Sequence, residues 1–150
     1  MFEIRSYPDV KQLGHRDLAN IWEGPVTLQE KADGSQISFL KHEEQLFMRS
    51  RSQAINLDAP GMFEAAVVSL RARFSEMLPD LIYRGEYLQK PRHNVLAYDR
   101  VPHGNIILFD IEKYDELQGW VEPREVARLA RELGLETVPT LYQGEFASAP

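Results

Sequence analysis

In "VTLQEKADGSQISFL", residues 26–40, what reads as a half-buried strand runs into Lys31, Asp33 and Gly34. A lysine attacks phosphorus or carbonyl carbon only through a neutral amine. With a lysine pKa of about 10.4, only about one amine in a few thousand is neutral at pH 7. A nucleophilic Lys31 therefore requires a nearby cation, a bound metal or a basic residue, that disfavours the ammonium form. By alternation Asp33 shares its face and pulls the opposite way. The pattern alone leaves two readings open, a solvated strand lysine or a nucleophile.

Other candidates are spaced along the chain. Arg49 and Arg51 in "LFMRSRSQ" share a strand face, with Ser50 turned away. They are either surface arginines or a clamp for phosphate, which planar guanidinium suits. Glu86 in "LIYRGEYL" alternates with Ile82, Arg84 and Leu88; it either pairs with Arg84 or accepts hydrogen bonds from ribose hydroxyls. Gly85 leaves the opposite face bare, so a ligand or another backbone can approach there. Phe109 in "IILFDIE" shares a face with Ile107 and Ile111, as core or as a platform for a base. His15, His42, His93 and His103 fall in no metal-ligand spacing, and metal ligands stay unassigned.

The elements that must position these residues follow from periodicity and breakers. "DVKQLGHRDLANIWEG" reads as helical or turn-rich and stops at Gly24-Pro25, and residues 26–33 alternate as a strand. "SQISFL" and "LFMRSR" form a hairpin around the polar "KHEEQ". Phe63, Val67, Leu70, Phe74 and Met77 recur at helical spacing between Pro60 and Pro79. "LIYRGEYLQ" and "NIILFDIE" are strands, and "EPREVARLARELG" is a second helix with Pro123 near its start and Gly134 past its end. "ETVPTLYQGEFASAP" opens with a short strand. The expected class is α+β, a largely antiparallel sheet with flanking helices, in one domain.

Composition narrows the function. The chain of 150 residues has no cysteine, which excludes disulfides, zinc-thiolate sites and a thiol nucleophile. No apolar run approaches the ~20 residues that cross a bilayer, and "MFEIRSYPDV" lacks the features of a signal peptide. The expectation is a cytoplasmic protein with no membrane partner. A formal net charge of -6 argues against a general nucleic-acid coat. Residues 41–100, however, carry nine Lys/Arg against eight Asp/Glu, while the rest carries eight against fifteen. That concentration predicts a local anion site.

Taken in order, "EKADG", "RSRSQ", "YRGEYL" and "LFDI" resemble motifs I, Ia, III and IIIa of the covalent nucleotidyltransferases, the superfamily of ATP-dependent DNA ligases, RNA ligases and mRNA capping enzymes. "GEYLQKPRHNVLAYDRVP" and "VPTLYQGEF" look most like the phage-type ATP-dependent RNA ligases. The resemblance implies an ATP-grasp-like ligase domain. It implies that Lys31 attacks the α-phosphate of ATP and carries AMP. Glu30 and Gln36 would contact the nucleotide, Arg51 a phosphate or sugar, Glu86 the ribose hydroxyls, and Phe109 would stack on adenine. ATP, with Mg2+ or Mn2+, and RNA bearing 5′-phosphate and 3′-hydroxyl ends are the implied ligands, and RNA repair the implied setting. The family's motifs IV and V, a glutamate–glycine strand and a strand with paired lysines, are not recognisable, and no lysine follows Lys113. Residues 1–150 are therefore expected to be an incomplete adenylyltransferase domain, slow to adenylylate itself and prone to self-association at an uncovered sheet edge or apolar face. The alternatives are a DNA ligase or capping-type enzyme, or a nucleotide- or RNA-binding remnant without chemistry.

Overall fold

The structure, a computed structural model, describes residues 2–146. Its elements are β1 (Val26–Gln29), β2 (Ser35–His42), β3 (Gln45–Ser50), α1 (Glu64–Arg73), β4 (Leu81–Tyr87), β5 (Ile106–Lys113), α2 (Pro123–Glu132), β6 (Glu136–Thr137) and β7 (Thr140–Gly144). A five-stranded sheet has the order β3-β2-β4-β5-β6, and β1 and β7 form a separate antiparallel ribbon. Within the larger sheet only β5 and β6 are parallel, joined through α2. The expected α+β class with a largely antiparallel sheet is what the chain forms.

Local chemistry explains the elements. The β2–β3 hairpin closes in two residues, with Glu43 and Glu44 both in the left-handed region, the backbone of a turn that follows strand twist. α2 starts with Pro123 in its first turn, where a missing N–H costs nothing. It ends with Gly134 at φ +69°. The amide of Gly134 bonds to Arg131 and that of Leu135 to Ala130, satisfying carbonyls the helix leaves open. α1 is flanked by short 3-10 turns at Gly61–Phe63 and Phe74–Glu76, so the helical signal between Pro60 and Pro79 is broader than the α-helix itself.

Period-2 alternation splits the sheet into two faces. On one, Ile37, Phe39, Tyr83, Tyr87, Ile106, Leu108 and Ile111 pack against Ala66, Val67 and Leu70 of α1 and Val126, Leu129 and Ala130 of α2. On the other, Leu40 and Ile82 join Ile4 in a small cluster backed by Phe2, Phe47 and Tyr114. Further along this face the residues become polar: Ser38 lies opposite Arg84, and Gln36 opposite Glu86.

Two expectations change here. Residues 26–33 are not one strand: β1 ends at Gln29, and the amide of Glu30 makes one last bond to the Pro139 carbonyl, 2.9 Å. Phe109 does not share a face with Ile111, because a bulge pairs Arg84 with Asp110 and Gly85 with Leu108, leaving Phe109 as the extra residue. Ile111 is fully buried under the helices, whereas Phe109 is turned to the polar face. The outer edge of β3 is partly covered, since Ser50 and Ile55 amides bond to Gln53 and Met48 carbonyls. The ribbon, in contrast, exposes Leu28 and Leu141. Among the described residues no helix is long and apolar enough to cross a membrane.

Candidate active site

Where the polar face meets the loop between β1 and β2 there is a cleft of about 1260 Å3. Glu30, Lys31, Gln36, Arg51, Glu86 and Phe109 all line it, as do Arg49, Asp110 and the segment from Ser6 to Lys11. The six residues expected from the sequence thus converge although Glu30 and Phe109 are 79 positions apart.

Gly34 brings the lysine loop in. A Cβ at Gly34 would sit 2.4 Å from the Tyr87 carbonyl oxygen, so only glycine lets this loop lie against the end of β4. Asp33 anchors the other side. Its carboxylate accepts from the amides of Val95 and Leu96, each at 2.8 Å, and from Asn94 Nδ2 at 3.2 Å. The Asp33 amide donates to Tyr98 Oη at 2.9 Å. The Leu96 and Val95 amides hold this carboxyl below the usual range. The expected opposition of Asp33 to Lys31 on one strand face is replaced by this clasp, because the chain leaves the strand before Lys31.

Glu86 does not pair with Arg84. Arg84 is fully buried and bonds through Nε and Nη2 to Glu112, through Nη1 to Ser38 Oγ at 2.8 Å, and to the Arg5 carbonyl at 2.8 Å. With Arg84 occupied, Glu86 is free to face the cleft. Burial pushes its carboxyl up to about 7, against the opposing pull of the Gly34 amide and the charges of Lys31 and Arg51. Gly85 serves a neighbouring backbone and not a ligand: a Cβ there would lie 2.5 Å from the Ile107 carbonyl.

The anion site is smaller than the basic run suggests. Arg73 is spent on the Leu133 carbonyl and Ser69, and Arg100 on Glu136. Lys11, Lys31, Arg49 and Arg51 line the cleft, and among the described residues none has a carboxylate within 4.0 Å. Arg49 Nη1 donates to the Ile4 carbonyl at 3.1 Å, while its buried Nε has no partner. Unpaired cations in a concave site fit an anionic ligand.

Sequence reasoning missed Tyr7, Asp110 and the Ser6–Lys11 wall. Asp110 adjoins Phe109 in "LFDI" and was within reach of that motif; the N-terminal segment carries no signal of its own.

The model of the family described as RNA ligase matches residues 24–150. The chain belongs to the RNA ligase family. No individually curated protein matches it. Among solved structures, a mutant RNA ligase from Naegleria gruberi solved with ATP and Mn is 16% identical, with a TM-score of 0.70, covering 97% of this chain and 45% of that one. An archaeal ATP-dependent RNA ligase is 15% identical, with a TM-score of 0.65, covering 93% and 38%. A putative ATP-dependent DNA ligase from Aquifex aeolicus is 20% identical, with a TM-score of 0.63, covering 93% and 38%. These likenesses show a fold shared with these ligases. The RNA ligase family chain described here spans less than half the length of each.

Proposed function

We propose that residues 1–150 belong to the adenylyltransferase domain of an ATP-dependent RNA ligase, with Lys31 as its nucleophile. The observation that carries this is the convergence of Glu30, Lys31, Gln36, Arg51, Glu86 and Phe109 on one cleft. In this reading Phe109 stacks on adenine, and Glu86 accepts hydrogen bonds from the ribose hydroxyls. Glu30 and Gln36 contact the nucleotide, and Arg51 a phosphate. The Lys31 amine, once it has lost its proton, attacks the α-phosphorus; a P–N bond forms, the α–β bridging P–O bond breaks, and pyrophosphate leaves. An oxygen of an RNA 5′-phosphate then takes AMP from Lys31. A 3′-hydroxyl attacks the activated 5′-phosphorus and AMP departs.

The cleft is large enough for a nucleotide, since ligand pockets run to about 1,000 Å3. No group of three His, Cys, Asp or Glu residues among those described could hold a metal alone. That suits Mg2+, which binds through one or two carboxylates plus substrate phosphates. Glu30, Asp110 and Asp9 are the carboxylates on the cleft wall that could serve it. The metal would neutralise the triphosphate and orient the leaving pyrophosphate.

The test is label transfer. The full protein with divalent metal and ATP labelled at the α-phosphate is expected to become labelled on Lys31. Lys31→Ala and Lys31→Arg are expected to lose the label, because a guanidinium stays protonated. Label persisting in Lys31→Ala would end the assignment. The neighbours include both RNA and DNA ligases, so sealing of a nicked RNA strand against a nicked DNA duplex decides the polynucleotide.

A further inference from the structure

The family match begins at residue 24, yet the segment from Ser6 to Lys11 lines the cleft. That segment is firmly held. The Arg5 guanidinium donates to the Tyr114 carbonyl at 2.7 Å, the Lys113 carbonyl at 2.6 Å and Glu112 Oε2 at 3.2 Å. The Arg5 carbonyl in turn accepts from Arg84 Nη1. These bonds place Tyr7 beside the bulge of β5. Its ring lies 5.1 Å from that of Phe109 at 80°, edge to face. In either sense of that T, Tyr7 itself covers at most one face of Phe109. Trp120 stands 5.5 Å away at 74° and supports the Tyr7 ring, and the Arg84 guanidinium lies 5.7 Å from the ring centre. Tyr7 Oη donates to Asp110 Oδ2 at 2.5 Å.

A bulged residue lacks a ladder partner, so backbone pairing does not fix where its side chain points. Phe109 is that residue. Its orientation must come from side-chain contacts, and Tyr7 supplies a rigid one from outside the sheet. We infer that Tyr7 is a positioning residue of the nucleotide site, holding Phe109 at the angle at which one ring face meets the base. This rests on the proposed stacking of Phe109 on adenine.

The experiment is a binding cycle on the full protein with ATP as the probe, using Tyr7→Leu and Tyr7→Phe, each with and without Phe109→Ala. Tyr7→Leu is expected to weaken ATP binding roughly two- to tenfold, the range of an aromatic pair. In the Phe109→Ala background it is expected to have no further effect, because the residue it acts through is gone. Tyr7→Phe keeps the ring and is expected to bind within about twofold of the parent, on the same contact. Tyr7→Met fills the volume without a ring and replaces Tyr7→Leu if that variant does not fold. Equal weakening in both backgrounds overturns the inference, as does no weakening at all. So does Tyr7→Phe losing as much as Tyr7→Leu, which would move the effect to the Asp110 hydrogen bond. If Phe109→Ala alone leaves ATP affinity unchanged, it is the stacking reading that fails.

Discussion

The two faces of the five-stranded sheet use the same strands for different ends. On β4, Tyr83 and Tyr87 point under the helices, while Arg84 and Glu86 point the other way. The helix-covered face is mainly apolar, closed by α1 and α2, with the buried Lys41 held by the Phe74 carbonyl and ring, and its main contribution is burial. The open face is graded. It begins with Leu40 and Ile82, passes through the buried Arg84–Glu112 pair, and ends in a cleft with unpaired cations and a carboxylate held near neutrality. A period of two residues lets one strand contribute to the core and to a site without compromise between them. On the open face the fully buried Arg84 is paired with Glu112 and Lys31 is wet, while the part-buried Arg49 and Glu86 lie between these extremes at the cleft.

The largest expected effect lies at the middle of the open face. Glu112→Ala leaves Arg84 buried without its carboxylate, and such an unpaired charge costs about 3–5 kcal/mol. Urea unfolding measures it. The double variant Arg84→Met/Glu112→Leu is expected to recover most of the loss, since a packed apolar pair avoids the uncompensated charge. If Glu112→Ala is no less stable than the parent, this pair does not hold the face together.

Neighbours on β5 test the division more finely. Leu108→Ala empties a fully buried site under the helices and is expected to cost about 2–5 kcal/mol of stability, with ATP affinity of the folded protein unchanged. Phe109→Ala, one residue on, is expected to weaken ATP binding by about 1–3 kcal/mol with little change in unfolding midpoint. Phe109→Trp is expected to retain most of the affinity if stacking is the role. Thermal unfolding and equilibrium binding on the same samples separate the two. The reverse pattern, with Phe109→Ala destabilising and affinity intact, would make Phe109 a core residue.

The smallest effect is a pH dependence at Glu86. Burial raises its carboxyl from 4.5 to about 7 in the folded protein, so the folded state holds a proton that the unfolded chain releases. Its contribution to stability is full below pH 4.5 and is lost as pH rises through about 7. Glu86→Gln removes this slope and is expected to gain ~1–2 kcal/mol over the parent at pH 8, after allowing for solvent reaching the cleft, and nothing at pH 4. Ribose hydroxyls donate best to the ionised carboxylate. Adenosine, which does not titrate near neutrality, is therefore expected to bind the parent more tightly as pH rises through about 7, with a flat profile in Glu86→Gln. A parent profile that is also flat would detach Glu86 from the ribose.

Much of the fold was legible because it is written in local periods and breakers. The hairpin around "KHEEQ", the helix ended by Gly134 and the strands holding Glu86 and Phe109 all sit where alternation and turn residues place them. Lys31 with Gly34, then Arg51, Glu86 and Phe109, nominated the site through the resemblance of their order to the nucleotidyltransferase motifs. What they lacked was any measure of which long-range partner each polar group would take.

The sequence by itself determined the residue types that could do chemistry, the side of a strand each would take while the strand stayed regular, and the α+β class. Tertiary structure decided the exceptions. The extra residue in β5 keeps Phe109 on the open face and sends Ile111 to the core, and no pattern within one strand shows a bulge, because it exists only in the register between two. Arg84 chose Glu112 over Glu86, Asp33 chose the Val95 and Leu96 amides over Lys31, and Tyr7 came to rest against Phe109. Each is a pairing across the chain: the first two form because a buried polar group or an unpaired backbone amide must find a partner once the sheet has closed, and the third is an edge-to-face contact between rings.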